Sequence, residues 1–141
     1  MENKNLFRNT NVKLTGEDIM MLSPLQLAYV GDAVYELLVR TYLMERGLSV
    51  GQLHRLTTKY VKAKAQSNII HAIEEDLTEK EKTIVKRGRN SKSNTTPKNA
   101  EMIHYKYATG FEALIGHLYL NGEDERISEL FQKIVDMKIN E

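Results

Sequence analysis

The sequence predicts an all-α fold with a single domain, and three observations support this prediction. Apolar residues recur at steps of three and four along most of the chain, which is the spacing of one helix face. Helix-start signals precede these stretches, and no stretch alternates between apolar and polar residues for long, as a half-buried strand would. A chain of 141 residues is also of the usual size for one domain with its own core.

The first strongly patterned helix begins at Ser23-Pro24, because serine caps helix N-termini and proline suits the first helical position. Its apolar positions continue to Leu43, and Gly47 is a suitable residue for the stop. Ser49 caps the next helical stretch, which reaches Ile73 as either one helix or two.

The third stretch opens with a capping box formed by Thr78 and Glu81 and ends near Gly88. A cluster of polar turn-forming residues from 89 to 96 then predicts a loop. Thr96-Pro97 repeats the cap-plus-proline signal and predicts the start of another helix.

This next helix runs to Leu120, where Asn121-Gly122 stops it. A last amphipathic helix has its apolar positions at Ile127, Leu130, Phe131, Ile134 and Met137. Residues 1–19 show only a weak pattern, so we expect a loose N-terminal segment there and one domain over residues 20–141.

The composition excludes several classes of protein. The chain has no cysteine, which excludes a disulfide framework and thiolate zinc sites and fits a reducing compartment. It shows no signal-peptide pattern and no apolar run long enough to span a bilayer, so we expect a cytoplasmic protein without a membrane partner. The net charge is only +1, but residues 86–106 hold six lysines and arginines against Glu101 alone. This indicates a local basic surface, unless acidic groups lie near it in space.

Two carboxylates stand out because each interrupts one of the most apolar helical stretches. Asp32 lies within residues 27–35, too deep in its helix to be an N-cap, and Glu112 lies within residues 110–116. A buried carboxylate without compensation is costly or becomes protonated, so a basic partner, a hydrogen-bond network or a divalent cation is expected. The basic partners on offer for Asp32 are Arg40 and Arg55, and Glu112 could instead face solvent.

Small residues surround both acids and leave room for two helices to approach, or for a metal and a phosphate to enter. They are Gly31, Ala33, Gly110, Ala113 and Gly116. Mg²⁺ takes oxygen ligands and usually keeps several waters, so two carboxylates can hold it.

The same two stretches resemble the acidic motifs of the ribonuclease III catalytic domain. Residues 27–34 resemble its signature, a Gly-Asp pair inside an apolar helix, and residues 111–116 resemble its second acidic motif. The resemblance covers roughly residues 20–121 and is strongest to the short Mini-ribonuclease III subgroup. The further features shared with that subgroup are Pro24-Leu25-Gln26-Leu27, Tyr35-Glu36, Arg87-Gly88-Arg89-Asn90, Thr96-Pro97-Lys98-Asn99-Ala100 and Thr109-Gly110-Phe111.

The resemblance implies the all-helical bundle of the ribonuclease III endonuclease domain and a specific activity. The family cuts both strands of double-stranded RNA with Mg²⁺, as a homodimer, and leaves 5′-phosphate and 3′-hydroxyl ends. The short subgroup lacks a separate double-stranded-RNA-binding domain and is implicated in maturing the precursor of the large-subunit (23S) ribosomal RNA, which makes a ribosomal protein a further candidate partner. By position, Asp32 matches the essential aspartate and Glu112 the metal-ligating glutamate.

The chain departs from the longer enzymes of the family at three positions. They carry acids where this sequence has Leu25, Ala28 and Thr109, which leaves the number of bound metals open. Glu36, in the helical turn after the Gly-Asp pair, could join the metal site or form a salt bridge with Arg40.

The basic segment is the candidate RNA-binding surface, because duplex RNA is recognised mainly through phosphates, 2′-hydroxyls and helix shape. The alternative is a disordered surface loop. The residues assigned to RNA contact are Arg87, Arg89, Asn90, Lys92 and Lys98.

Three hypotheses on function follow. The first is a Mg²⁺-dependent double-stranded-RNA endonuclease. The second is a catalytically weak or inactive RNA-binding module of ribosome assembly with the same fold, and the third is an all-α, Mg²⁺-dependent nucleotide hydrolase. A homodimer is expected for the first, since two sites are needed to cut two strands. The apolar residues that exceed the needs of one helix face and would form its interface are Leu27, Val34, Leu37 and Leu38.

Overall fold

The chain is all-α, as the sequence predicts. The computed structural model describes residues 14–44, 47–91 and 100–138, and within these ranges it contains helices and no strand. A short 3₁₀ helix at Glu74–Asp76 separates the fourth α-helix from the fifth. The α-helices are α1 (Gly16–Met20), α2 (Pro24–Leu43), α3 (Val50–Val61), α4 (Ala63–Ile73), α5 (Glu79–Arg89), α6 (Ala100–Leu120) and α7 (Asp124–Asp136).

Capping boxes fix the starts of α2, α3 and α5 where the sequence predicts them. At α2, the Ser23 hydroxyl accepts from the Gln26 backbone N–H at 3.1 Å, and Gln26 Oε1 accepts from the Ser23 backbone N–H at 2.8 Å. The same reciprocal pair begins α3 at Ser49 and α5 at Thr78. These bonds satisfy backbone donors that a helix N-terminus leaves free, so the starts are encoded locally.

The stretch that the sequence left open as one helix or two is two helices. The break is at Lys62, whose backbone is extended (φ −63°, ψ 154°). Side chains donate hydrogen bonds to two backbone carbonyl oxygens next to the break. The Tyr35 hydroxyl donates to Tyr60 O at 3.0 Å, and Gln66 Nε2 donates to Val61 O at 2.9 Å. Contacts from elsewhere in the fold therefore stabilise this break.

Helix α6 is the central element and packs against α2, α4 and α5. Glycines make the crossings with α2 and α5 close. A Cβ on Gly31 would overlap the Glu112 carbonyl oxygen, and one on Gly116 would overlap the Leu27 carbonyl oxygen. The backbones of α2 and α6 are thus in direct contact, and a Cβ on Gly110 would lie 2.6 Å from the Val85 carbonyl oxygen of α5.

Some helix ends agree with the predictions, while another helix end and the N-terminal region differ from them. Gly122 ends α6 with φ +73°, as predicted, while Gly47 has φ +62° but follows a helix that already ends at Leu43. The sequence pattern missed α1, which has its own capping box at Thr15 and buries Ile19 in the core. The boundary at residue 20 itself stays a prediction.

Part of the predicted polar loop lies outside the described residues. Arg89 is the last residue of α5 and Asn90 is its C-cap, so the chain leaves the helix there. Residues 92–99, with Lys92, Lys98 and the helix start at Thr96-Pro97, are among those not described. In the described part of the chain, no helix is long and apolar enough to cross a membrane.

Candidate catalytic site

The two acids singled out by the sequence lie side by side. Gly31 sits at the crossing of α2 and α6, against the backbone of Glu112, and this places its neighbour Asp32 next to Glu112. The two carboxyl groups are close enough to share a hydrogen bond. Asp32 is exposed and Glu112 is half-buried, so the pair extends from the buried crossing of the two helices to the solvent-exposed surface.

The electrostatics of Glu112 include no counter-charge from the described part of the chain. Burial, the hydrogen bond to Asp32 and the charge of Asp32 raise the pKa of Glu112 to about 8, against a smaller opposing effect of a hydrogen bond from Gln66. The candidate partner Arg40 is engaged elsewhere, because its Nη2 lies 2.7 Å from Glu36 Oε2. A positive ion between the carboxylates would remove this repulsion.

Gln66 completes the inner wall of the site, and sequence analysis did not identify it. Its side chain is buried, and Nε2 donates to Glu112 Oε2 at 3.3 Å as well as to Val61 O. The amide oxygen Oε1 is buried and has no hydrogen-bond partner among the residues that the structure describes, an arrangement that typically costs about 1–3 kcal/mol. A signal was present, since Gln66 precedes Ile69, Ile70 and Ile73 at helical spacing and is the polar residue on that apolar face.

These groups fit a hard divalent cation. Two carboxylates and an amide oxygen are oxygen donors of the kind that Mg²⁺ prefers, and among the described residues no cationic side chain neutralises the pair. Among the described residues, no group of three or more His, Cys, Asp or Glu side chains could hold a metal. The ion would therefore keep much of its hydration shell, as Mg²⁺ does in proteins.

The other positions considered for the metal site are placed less favourably. Glu36 forms the salt bridge with Arg40, which supports the second of the two roles considered for it. The Thr109 hydroxyl is buried and donates to Tyr105 O at 3.0 Å. Ala28 is buried in the core and carries no ligand atom.

The basic surface begins where α5 ends, and its described residues differ in exposure. Arg87 and Asn90 are exposed. Arg89 is half-buried, with its guanidinium 5.4 Å from the centroid of the Tyr107 ring and Nη1 at 3.5 Å from the Tyr107 hydroxyl. The Tyr107 ring also contacts the His71 ring of α4, at a centroid distance of 4.2 Å. An aromatic ring on α6 therefore holds Arg89 on the surface shared by α4, α5 and α6.

Comparison with known proteins gives a consistent result. Residues 25–123 match the family model described as the ribonuclease III domain. A Mini-ribonuclease 3 from Thermoanaerobacter sp. (strain X514) is 53% identical over 125 residues, which are 88% of this chain and 88% of that protein. A Mini-ribonuclease 3 from Clostridium tetani is 46% identical over 127 residues, which are 89% of this chain and 84% of that protein.

A solved structure has the same architecture. The crystal structure of a protein from Fusobacterium nucleatum superposes with a TM-score of 0.78 at 37% sequence identity. The match covers 86% of this chain and 98% of that chain. The bundle described above is therefore found in a solved structure of a related sequence.

Proposed function

The chain belongs to the ribonuclease III domain family and is an endoribonuclease, and we propose that it cleaves both strands of double-stranded RNA with Mg²⁺ held by Asp32 and Glu112. One observation carries the assignment of the site. Two carboxylates from α2 and α6 lie within hydrogen-bond reach of each other, and burial, the hydrogen bond to Asp32 and the charge of Asp32 together raise the pKa of Glu112. A protein gains nothing in stability from such a pair, which favours a function for it.

The proposed reaction is metal-assisted hydrolysis of a phosphodiester. When bound, the cation supplies Lewis-acid chemistry, because it lowers the pKa of a coordinated water and polarises a phosphate. Asp32 and Glu112 hold it directly or through water. Since Asp32 is exposed, the scissile phosphate reaches the pair from the solvent side, while Gln66 closes the buried side.

The basic surface supports duplex RNA as the substrate. Arg87, Arg89 and Asn90 lie at the end of α5, and Tyr107, which holds Arg89, precedes Glu112 by about one and a half turns of α6. Phosphate contacts from these residues would orient the duplex against the carboxylates. We assign the same role to Lys92 and Lys98, which lie outside the described residues.

The assembly proposed for cutting two strands is a homodimer. Tyr29 and Leu37 on α2 are 83% and 58% exposed and line an apolar groove with Val34, Leu38 and Tyr119. Exposed apolar patches of this kind typically mark protein contacts. Leu27, which the sequence also suggested for this interface, is instead buried within the subunit core.

The substrate proposed in the cell is the precursor of 23S ribosomal RNA, with a ribosomal protein as a further partner, in the cytoplasm. Support comes from the similarity to the Mini-ribonuclease 3 proteins, and the bacterial sources of these relatives agree with it. Incubation of the protein with precursor 23S RNA, with and without total ribosomal protein, is the corresponding test. We expect discrete cuts in a paired region of the precursor and none in an unpaired control.

The test of the site uses two variants that remove charge and keep shape, Asp32→Asn and Glu112→Gln. The wild type is expected to cut duplex RNA with Mg²⁺, to stop when a chelator is added, and to leave single-stranded RNA and nucleoside triphosphates intact. Both variants should lose duplex cleavage while circular dichroism and thermal unfolding show a folded protein. Glu101→Gln, an exposed position on the same helix as Glu112, is the matched control and should cut normally.

The outcomes separate the proposed function from its alternatives. Cleavage by both charge-neutral variants at the wild-type rate would refute the assignment of the site. A wild type that binds duplex RNA but never cuts it would identify an RNA-binding module. Turnover of nucleoside triphosphates without cleavage of RNA would identify a nucleotide hydrolase.

A further inference from the structure

We propose that Gln66 is a positioning residue of the cation site, with separate functions for the two ends of its amide group. The nitrogen holds the Glu112 carboxylate in place, and the oxygen accepts a hydrogen bond from the hydration shell of the cation. This inference rests on the proposed function, since it concerns the same site.

The contacts of the nitrogen determine how the amide is oriented. Nε2 lies 2.9 Å from Val61 O and 3.3 Å from Glu112 Oε2. A backbone carbonyl oxygen only accepts, so the position 2.9 Å from Val61 O requires the N–H₂ end of the amide. Rotation of the amide by 180° would place Oε1 against the Val61 carbonyl oxygen, which excludes that orientation.

The contact with Val61 gives Gln66 a rigid anchor. Val61 ends α3 beside the break at Lys62, and Gln66 lies in the first turn of α4. The side chain therefore ties the end of one helix to the start of the next and extends from this joint to Glu112 on α6. Because the joint fixes the amide, it restricts the rotation of the Glu112 carboxylate.

The oxygen distinguishes this role from that of a helix cap. A residue that only satisfied the Val61 carbonyl would need a donor and no further acceptor. Gln66 brings an acceptor, Oε1, that is buried with no partner in the described ranges of the chain, on a residue only 1% exposed. Buried acceptors are nearly always paired, and water in the shell of a divalent cation is a strong donor. A cation held by Asp32 and Glu112 would bring such a shell next to the Gln66 amide, whose Nε2 lies 3.3 Å from Glu112 Oε2.

The experiment measures cation binding to the RNA-free protein, so it does not depend on catalysis. Mn²⁺ serves as the probe, and its free concentration is read by electron paramagnetic resonance. Gln66→Leu removes both ends of the amide at similar size and should weaken Mn²⁺ binding by about 10- to 100-fold, the usual effect of losing a group that orients metal ligands. Gln132→Leu is the matched control, because that glutamine is exposed on α7 and its side-chain nitrogen donates to the neighbouring Asp136 at 3.0 Å.

A second measurement separates positioning of the cation from binding of the substrate. Duplex cleavage by Gln66→Leu should recover toward the wild-type rate as the Mg²⁺ concentration rises. The KM for duplex RNA at saturating Mg²⁺ should stay unchanged. Mn²⁺ affinity of Gln66→Leu equal to that of the wild type would overturn the proposal.

Two further arms keep the result decisive. Mn²⁺ binding by Asp32→Asn is measured in the same way. If Asp32→Asn binds Mn²⁺ like the wild type, the cation site of the proposed function is refuted. If Asp32→Asn loses Mn²⁺ binding while Gln66→Leu keeps it, only the role of Gln66 is refuted. Should Gln66→Leu not fold, the side-chain amide resonances of the wild type decide the question. The Gln66 pair should shift on Mg²⁺ addition and the Gln132 pair should not, and an unmoved Gln66 pair would refute the inference.

Discussion

Gly31 leaves less room for a side chain than other positions at the site, since a methyl group there would overlap the Glu112 carbonyl oxygen. We expect Gly31→Ala to lower the free energy of unfolding by about 3 kcal/mol or more. Overpacking of a core commonly costs about 1–3 kcal/mol. Here the added methyl group would meet backbone atoms of α6, which cannot move away by a change of rotamer as a side chain can. Urea denaturation followed by circular dichroism measures the change.

The matched control is Gly51→Ala in α3, where the nearest atom to an added methyl would be Arg55 Nη1 at 3.9 Å. Alanine is the better helix former, so stability should stay equal or rise by up to about 1 kcal/mol. If Gly31→Ala matched Gly51→Ala in stability, the backbone contact between α2 and α6 would be wrong.

At the residue scale, the sequence indicates which acids are unusual but not that they meet. Asp32 and Glu112 are conspicuous because an acid within an apolar helix needs compensation. Their convergence depends on the register at which α2 crosses α6, and this is set by the contacts of Gly31 and Gly116 in three dimensions. Gln66 was missed because a glutamine carries no charge, so only its position on an apolar face marks it.

At the scale of elements, one charged contact ties α5 to α7. Arg126 Nε and Nη2 donate to the two carboxylate oxygens of Glu81 at 2.9 and 2.8 Å, and Nη2 also donates to Asp76 O at 2.7 Å. Burial acts to raise the pKa of Glu81, but hydrogen bonds from Arg126 and Thr78 and the charge of Arg126 outweigh it, so the pKa is lowered.

The lowered pKa of Glu81 makes the stability of the bundle depend on acid pH. A carboxyl whose pKa is lower in the folded state stabilises the fold above its ordinary value, 4.5, and loses this contribution as the pH falls through the folded value. Glu81→Gln keeps a side chain that suits the capping box, so it should be less stable at neutral pH and lose less stability than the wild type below pH 4.5. Urea denaturation at a series of pH values measures both effects.

Glu79→Gln is the control for this pH dependence, because Glu79 is on the same helix and its side chain is 94% exposed. Its stability curve should follow that of the wild type within experimental error. Identical curves for Glu81→Gln and the wild type would contradict the role of the Glu81–Arg126 contact.

The end of α5 carries a prediction about RNA affinity. Arg87 is exposed, and loss of one phosphate contact should lower the slope of log affinity against log salt by about 0.7–0.9. We therefore expect Arg87→Ala to weaken duplex binding and flatten its salt dependence, with fluorescence anisotropy in Ca²⁺ as the measurement. Lys133→Ala is the control. Lys133 lies on α7 and pairs at 3.6 Å with Asp76, which precedes the start of α5, so its loss should leave the slope unchanged.

Helix starts could be predicted from the sequence because their determinants are local. Ser23, Ser49 and Thr78 each form a capping box with a residue three positions later, and such pairs are visible in the chain itself. The break at Lys62 has no glycine or proline to mark it. It is stabilised by Tyr35 and Gln66 through the packed fold, so a pattern read along the chain leaves it undecided.

At the scale of the whole molecule, an apolar groove is lined mainly by α2 and α7, and Asp32 is among its lining residues. The proposed dimer would cover the exposed Tyr29 and Leu37 in this groove, and the catalytic pair would then lie at the edge of the interface. A duplex lying across two such subunits would meet one carboxylate pair for each strand, which is the geometry that cleavage of both strands requires. In the proposed function, the oligomeric state would therefore be part of the mechanism.

Leu37→Glu tests this arrangement, because a carboxylate at the centre of an apolar interface would be buried without a partner. The wild type should be a dimer by light scattering at micromolar concentration, and Leu37→Glu should be a monomer with unchanged circular dichroism. Val50→Glu changes an exposed apolar residue at the start of α3 and should remain dimeric.

In the monomeric Leu37→Glu variant, duplex cleavage should fall and shift from double-strand cuts to single-strand nicks, because each encounter then brings one carboxylate pair to the RNA. A monomeric wild type, or a Leu37→Glu variant that still cuts both strands together, would show that this groove is not the interface.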